Sequence, residues 1–250
     1  MYEQEIPGDA AHERVLSIVV PCYNEEESIP LFYRETRKAA NELRQRPRVQ
    51  VEYVFVDDGS TDSTLDILKK LRAQDKQVHY VSFSRNFGKE SALYAGLRAA
   101  TGQWAMFLDA DDVLAKHAVD GMLAFAVRYR CDVVMGAYRN VLAGADADAN
   151  GVPDAAGAVI MGGKGEGSPS VEEHHYAETD MVFEGRRRLD LCEDMLRPQR
   201  GIALVWGKLY SMPLIKGIDG FNETLSLGED AEYAFRAVAA ANRIGYVDEM

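Results

Sequence analysis

Short apolar runs alternate with longer amphipathic stretches through the first half of the chain. Val15 to Val20 reads as a buried strand stopped at Pro21. Glu26 to Arg46 follows as a helix, acidic at its start and basic along its length, as the helix dipole favours. Val51 to Val56 is a second strand, and Asp62 or Thr61 can cap the helix that runs on through Leu71. Val78 to Phe83 is a third strand. Gly88 to Ala100 is then helical, and its small residues Ala92, Ala95, Gly96 and Ala99 suit close packing on a sheet. Trp104 to Leu108 is the fourth strand, Lys116 to Arg130 a helix and Asp132 to Tyr138 the fifth strand. Strands alternating with helices predict an α/β fold, a mostly parallel central sheet with helices on both faces. Ligands in that architecture bind outside the carboxyl ends of the strands.

The pattern breaks at Ala143 to His175, which is rich in Gly, Ala, Asp and Ser without a period and reads as a flexible loop. Order returns from Val182, with helices expected over Arg186 to Arg197 and Gly228 to Ala241 and an apolar run from Ile202 to Tyr210. No internal repeat is present. The expected organisation is an N-terminal extension, 1–14, and one domain over 15–250. Within it 15–112 would be the ligand-binding half and 113–250 a second half containing the loop at 143–175.

Composition narrows the function. A hydrophobic content of 47% fits a folded domain rather than a disordered chain. The net charge of -12 argues against broad nucleic-acid binding, which needs a basic footprint. Cys22, Cys131 and Cys192 are odd in number and far apart, which fits a reducing cytoplasm better than a disulfide framework. Met1 to Arg14 has no signal-peptide character, and no apolar run approaches the ~18 residues of a spanning helix. The expected location is cytoplasmic, with peripheral contact at the inner face of a plasma membrane compatible with it.

The unusual polar clusters all follow strand ends. Asp109-Ala110-Asp111-Asp112 closes the fourth strand. In an extended segment Asp109 and Asp111 share a side and can face one hard cation, Mg2+ or Mn2+, with positions left for phosphates; the same acids can also simply cap the next helix. Pro21-Cys22-Tyr23-Asn24-Glu25 offers Tyr23 for stacking on a base, or Asn24 as a helix cap. Asp57-Asp58-Gly59-Ser60 offers carboxylates to a base or ribose, or a tight turn. Ser84-Arg85-Asn86-Phe87-Gly88-Lys89 brings Arg85 and Lys89 to a helix start, where a diphosphate is attracted. Gly228-Glu229-Asp230 puts carboxylates at another helix start, where the dipole favours the ionised form a general base needs, or plain capping. Arg186-Arg187-Arg188 reads as a solvated helix face that can also meet an anionic acceptor or membrane.

Taken in order, the four runs Ser17 to Glu25, Val56 to Asp62, Asp109 to Asp112 and Gly228 to Asp230 resemble the family-2 glycosyltransferases over about Val15 to Met250. The resemblance implies the GT-A fold, a nucleotide-diphospho-sugar donor (a UDP-sugar foremost), inversion at the anomeric centre and a divalent cation. It implies that Pro21, Tyr23, Glu25 and Asp57 hold base and ribose, with Asp58 assisting. Asp109, Ala110 and Asp111 would lie against the ribose, sugar and diphosphate, with Asp111 and Asp109 as metal ligands. Asp230 would be the catalytic base, with Glu229, Trp206 and Lys208 on the acceptor side and Arg85 and Lys89 near the phosphates. The acceptor would be a glycan or lipid-linked molecule of cell-surface synthesis. Residues 84–90 look like the polyprenyl-phosphate glycosyltransferases. Trp206-Gly207-Lys208-Leu209-Tyr210 looks more like enzymes that build surface polysaccharides. The end at Met250, soon after the Glu-Asp helix, is expected of a chain that continues into further helices. The rivals are a polyprenyl-phosphate transferase domain without its membrane segment, a nucleotidyltransferase and a non-catalytic sugar-nucleotide-binding domain. The acidic, glycine-poor loop at Pro21 to Glu27 disfavours the nucleotidyltransferase.

Overall fold

A computed structural model describes residues 14–43, 49–112, 114, 117–143, 159–164, 170–197, 202–222, 225 and 228–248. The first half alternates as expected: β1 Arg14–Cys22, α1 Ser28–Leu43, β2 Val49–Asp57, α2 Thr64–Gln74, β3 Val78–Ser82, α3 Lys89–Ala99, β4 Trp104–Phe107, α4 Ala118–Tyr129 and β5 Val133–Gly136. The second half adds β6 Tyr138–Ala143, β7 Val159–Lys164, β8 Ser170–His174, β9 Met181–Phe183, α5 Arg186–Met195, β10 Lys208–Ser211, α6 Met212–Lys216, α7 Glu229–Ala240 and β11 Ile244–Val247.

Eight strands form the main sheet in the order β3-β2-β1-β4-β10-β5-β11-β9. Only β10 and β9 run antiparallel to their neighbours. The register fixes the faces. Ile18, Met106, Leu209, Val134 and Gly245 form one row across the sheet. Gly245 lies against Phe125 of α4, so α4 covers that face. The alternate row carries Val19 and Phe107. Gly96 of α3 meets Val19, and Tyr233 of α7 meets Phe107 edge-on, so α3 and α7 cover the other face.

Of the four small residues on α3, Ala92 and Gly96 are buried while Ala95 and Ala99 turn outward. A Cβ on Gly96 would stand 2.4 Å from Val19 Cγ1 and 3.1 Å from Val56 Cγ2, both stiff β-branched side chains. Gly96→Ala should therefore push α3 off the sheet and destabilise the fold by about 1–3 kcal/mol. A lower urea midpoint at unchanged slope is expected; an unchanged midpoint would refute so close a packing.

Three expectations are corrected. β1 continues through Pro21 to Cys22, because its pairing to β4 ends at Val19 and frees the flank where proline lacks a donor. The expected strand Asp132 to Tyr138 is two strands, β5 in the main sheet and β6 in a second sheet ordered β7-β6-β8. Those two partners, Val159–Lys164 and Ser170–His174, fall inside the stretch expected to be an aperiodic loop; 144–158 and 165–169 lie outside the described residues. Backbone pairing with β6, rather than side-chain period, defines them. Among the described residues no helix is long and apolar enough to cross a membrane, and Cys22, Cys131 and Cys192 are free thiols.

Candidate active site

The carboxyl ends of β1, β2, β3 and β4 bring the predicted clusters to one edge of the sheet. The β1–α1 and β2–α2 loops are stapled together. Asn24 Oδ1 accepts from the Thr61 amide at 2.8 Å, and the Asn24 amide donates to Ser60 Oγ at 3.0 Å. The Glu25 amide donates to Thr64 Oγ1 at 2.8 Å. Asp62 accepts from the amides of Thr64 and Glu26; the N-cap of α2 is Ser63, so Asp62 sits one residue before the cap expected of it and ties the two loops together. Asn24 holds φ +56° to make this crossing rather than capping α1. Tyr23 is left 47% exposed beside this staple, free to stack.

The two neighbouring aspartates do different things. Asp57, 1% exposed, accepts from the Ser60 amide at 3.0 Å and Ser82 Oγ at 2.8 Å, which ties the β2 end to its own turn and to β3. Asp58 is 3% exposed and accepts from the amides of Phe87 at 2.7 Å and Gly88 at 2.9 Å. Asp58 thus clamps the 84–89 loop. Gly59 makes the fit possible, since a Cβ there would lie 2.3 Å from the Arg85 carbonyl carbon. The clamped loop displays Arg85 with its guanidinium 4.7 Å above the Phe87 ring, and it delivers Lys89 to the end of β4.

There Lys89 Nζ donates to Asp109 Oδ2 at 2.7 Å. Burial alone would lower the Lys89 pKa, but Asp109, Asp230 and Asp112 hold it above the ordinary lysine value. One ammonium therefore faces three carboxylates from two elements. The segment after β4 is not extended, which corrects the same-side argument for Asp109 and Asp111. The Asp112 amide donates to Asp109 O at 3.1 Å and closes a turn. The Asp112 carboxylate accepts from the Asp109 amide at 3.1 Å. Asp112, 2% exposed, is pushed up to about 8 by burial and then by Asp109. Asp109 points to Lys89, Ala110 is buried and Asp111 is exposed.

Asp230 sits in the first turn of α7, facing this group. Its Oδ1 is buried and makes no hydrogen bond. Burial raises the carboxyl above its ordinary value; Lys89 draws it back, and Glu229 and Asp109 add to the rise. The helix dipole is therefore not the dominant influence on it. Glu229 hydrogen-bonds to Glu90 of α3, and burial and that contact raise the Glu90 pKa. Arg236 of α7 donates to the carbonyls of Asp219 and Gly220, both at 2.7 Å, while paired with Glu232, and so ties that loop to the helix. Phe221, the next residue, stacks on Tyr233 with centroids 4.0 Å apart.

Two predicted acceptor residues turn inward. Trp206 is 8% exposed and packs edge-on against Tyr138. Lys208 is 4% exposed, and its ammonium donates to Leu204 O. Arg188 donates to the carbonyls of Ala239 and Ala241 at the C-terminal end of α7, so one member of the arginine triplet is a helix cap. Sequence reasoning missed Ser82 and Arg236 and named Asp112 without a role of its own. For Arg236 the i, i+4 pairing with Glu232 was a readable signal; for Ser82 there was none.

The described residues contain no cluster of three or more His, Cys, Asp or Glu set to hold an ion alone. The donor set nevertheless fits a hard cation of the magnesium type, which takes one or two carboxylates and completes its shell with phosphate oxygens and water. Asp111, which is exposed, and Asp109, which is paired with Lys89, are the carboxylates that would hold it.

The model of the glycosyl transferase family 2 matches residues 17–151, more than half of the chain. The chain belongs to glycosyl transferase family 2. It is 47% identical over 96 residues to a prophage bactoprenol glucosyl transferase homolog of Escherichia coli K12, covering 38% of this chain and 30% of that protein. Its fold superposes on S. aureus TarS 1–349 with a TM-score of 0.66 and 25% identity, covering 94% of this chain and 58% of that one. TarS 1–349 also has a solved complex with UDP-GlcNAc. A mannosyltransferase of Pyrobaculum calidifontis in complex with GDP-Man and Mn2+ superposes with a TM-score of 0.58 at 15% identity and shares the fold alone. The GT-A architecture is thus the one expected, and the chain spans well under two thirds of the length of these relatives.

Proposed function

We propose that this family-2 domain transfers a sugar, with inversion, from a nucleotide-diphospho-sugar to an acceptor of cell-surface glycan or glycolipid synthesis. A UDP-sugar is the first donor to consider, since a solved neighbour holds UDP. The observation that carries the reading is Asp230: a carboxylate oxygen buried without a partner, beside the Lys89–Asp109 pair at the ligand end of the sheet. An unsatisfied buried acceptor costs about 1–3 kcal/mol, and such a liability is characteristic of functional sites.

Tyr23 stacks on the base, with Pro21, Glu25 and Asp57 along base and ribose. Asp58 acts through the loop it holds rather than on the ligand. Arg85 flanks the phosphates. Lys89 orients Asp109 toward the ribose and sugar. Asp230 accepts the proton of the acceptor hydroxyl as that oxygen bonds to the anomeric carbon and the bond to the diphosphate oxygen breaks. Asp111, with Asp109 second, would hold Mg2+ or Mn2+, which supplies charge neutralisation at the leaving diphosphate. Glu229 borders the acceptor side through Glu90. Trp206 and Lys208 support that side from inside the fold.

The test is titration with UDP-glucose, UDP-GlcNAc and GDP-mannose, each with Mg2+, Mn2+ and chelator, beside Asp111→Asn. Binding of one donor that needs the cation and weakens at least tenfold (about 1.4 kcal/mol) in the variant is expected. Binding of none by a folded protein would sink the proposal. A polyprenyl phosphate as acceptor is the second reading, favoured by the bactoprenol relative, whose similarity covers 38% of this chain.

A further inference from the structure

We propose that Glu90 and Glu229 share one proton, and that this bond holds the first turn of α7 against the first turn of α3, which makes Glu90 a positioning residue for the site. The shared proton stands on its own; its consequence for the site rests on the glycosyltransferase reading.

Glu90 lies in the first turn of α3 and Glu229 in the first turn of α7. Their side chains are hydrogen-bonded. A carboxylate has no hydrogen to donate, so that bond exists only while one of the two carboxyls is protonated. Two ionised carboxylates in contact would repel instead. Glu90 also accepts from its own amide, and its Oε2 lies 2.9 Å from where a Cβ on Gly88 would stand. The carboxyl is therefore folded back over the start of α3. Its charged neighbours leave the pair to itself. Glu229 and Asp230 face it from α7. On α3, Lys89 is turned to Asp109 at the end of β4. On α7, Arg236 is paired with Glu232. Burial first, then Glu229 and Asp230, raise the Glu90 carboxyl above its ordinary value, against the pull of its own amide.

The seam continues one turn down each helix. Tyr94 is four residues after Glu90, and Tyr233 four after Glu229. The loop at Gly220 runs between them: a Cβ there would stand 2.6 Å from Tyr94 Cε2, and Phe221 stacks on Tyr233. Aromatic packing closes this lower part without a titrating group; the upper part needs its proton. Each acid is also the chain neighbour of a site residue, Glu90 of Lys89 and Glu229 of Asp230. Losing the proton loosens the two turns that set Asp230 beside the Lys89–Asp109 pair.

Glutamine copies the protonated acid, since its amide at position 90 can donate to Glu229 at any pH. Urea midpoints of the full chain, without donor, are compared for wild type, Glu90→Gln and Glu90→Ala between about pH 4 and about pH 9. A proton that the fold holds more tightly stabilises fully below the ordinary value of 4.5, and that gain is lost as pH rises through the raised value. Glu90→Gln should therefore match wild type at the acid end and exceed it increasingly toward the alkaline end. Asp230 titrates in both and cancels in the difference. Glu90→Ala should lie below both at the acid end, where it alone lacks the bond. A gap between wild type and Glu90→Gln that stays constant with pH would overturn the shared proton. Turnover of whichever of UDP-glucose, UDP-GlcNAc and GDP-mannose binds is then followed over the same range. At the alkaline end wild-type turnover should fall roughly threefold or more relative to Glu90→Gln. Parallel turnover profiles would overturn the positioning role. Binding of none of the three donors would remove the glycosyltransferase reading and leave the midpoints to decide the shared proton.

Discussion

Asp230→Asn should lose sugar transfer while gaining stability. A missing general base typically costs ~10²–10⁴-fold in rate, and the amide keeps the shape of the carboxylate, so donor affinity should stay within about twofold. The stability effect has the opposite sign. Burial, with Glu229 and Asp109, raises the folded-state pKa of Asp230 above its unfolded value, and Lys89 offsets only part of that. The native state therefore holds this proton more tightly than the unfolded chain. The resulting stabilisation is fully present below the unfolded pKa and is lost as pH rises through the folded one. Above the unfolded pKa the buried carboxyl is therefore a net burden on the fold, which asparagine, having no charge to lose or gain, does not carry. The variant should melt above the wild type at pH 7, and the gap should close as pH falls toward ~3, below the unfolded pKa. A variant that turns over normally would remove Asp230 from the mechanism. One that melts lower at pH 7 would show that the carboxylate has a stabilising partner after all.

That opposition also explains which parts of the molecule were legible. The first half read well because its helices are amphipathic, while β1, β2, β4 and β5, covered on both faces, stand out as continuous short apolar runs. Strand β10 carries no such mark. It arrives from far along the chain and slots antiparallel between β4 and β5, a placement that only tertiary pairing decides. Strands β7 and β8 lie in Gly-rich sequence and are defined by their ladders to β6. At the site, residue type and spacing brought the right clusters together but could not divide the roles. Asp57 and Asp58 are adjacent and chemically identical, yet Asp58 is committed to two amides of the 84–89 loop. The sequence assigns no separate role to the third acid of the Asp109 run; as Asp112 it closes the turn that separates the directions of Asp109 and Asp111. Sequence gives the inventory of charge, and the hydrogen-bond partners decide which charges remain for a ligand.

Lys208 is the clearest case, and its replacement by methionine should make the protein more stable. Burial alone draws its pKa down to about 7 from the ordinary lysine value of 10.5. Between those two values the unfolded chain binds a proton that the fold does not, so wild-type stability should rise with pH from about 7 to about 10.5. At neutral pH the penalty approaches its maximum. At ~1.4 kcal/mol per unit it has an upper limit of roughly 5 kcal/mol. Methionine is unbranched and of similar length, so it can fill the same space. It leaves Leu204 O without its donor, which costs about 1–3 kcal/mol. A net gain of roughly 2 kcal/mol is expected at pH 7, shrinking toward pH 10 as the wild type sheds its penalty. Denaturant midpoints across that range would show it, with the upward slope of the wild type absent from the variant. Donor titration completes the test. A lysine committed to Leu204 O contributes nothing to phosphate binding, so Lys208→Met should bind the donor within about twofold of wild type. A tenfold loss, about 1.4 kcal/mol, would mean that the ammonium leaves its carbonyl when a ligand arrives and would return Lys208 to the acceptor side of the site.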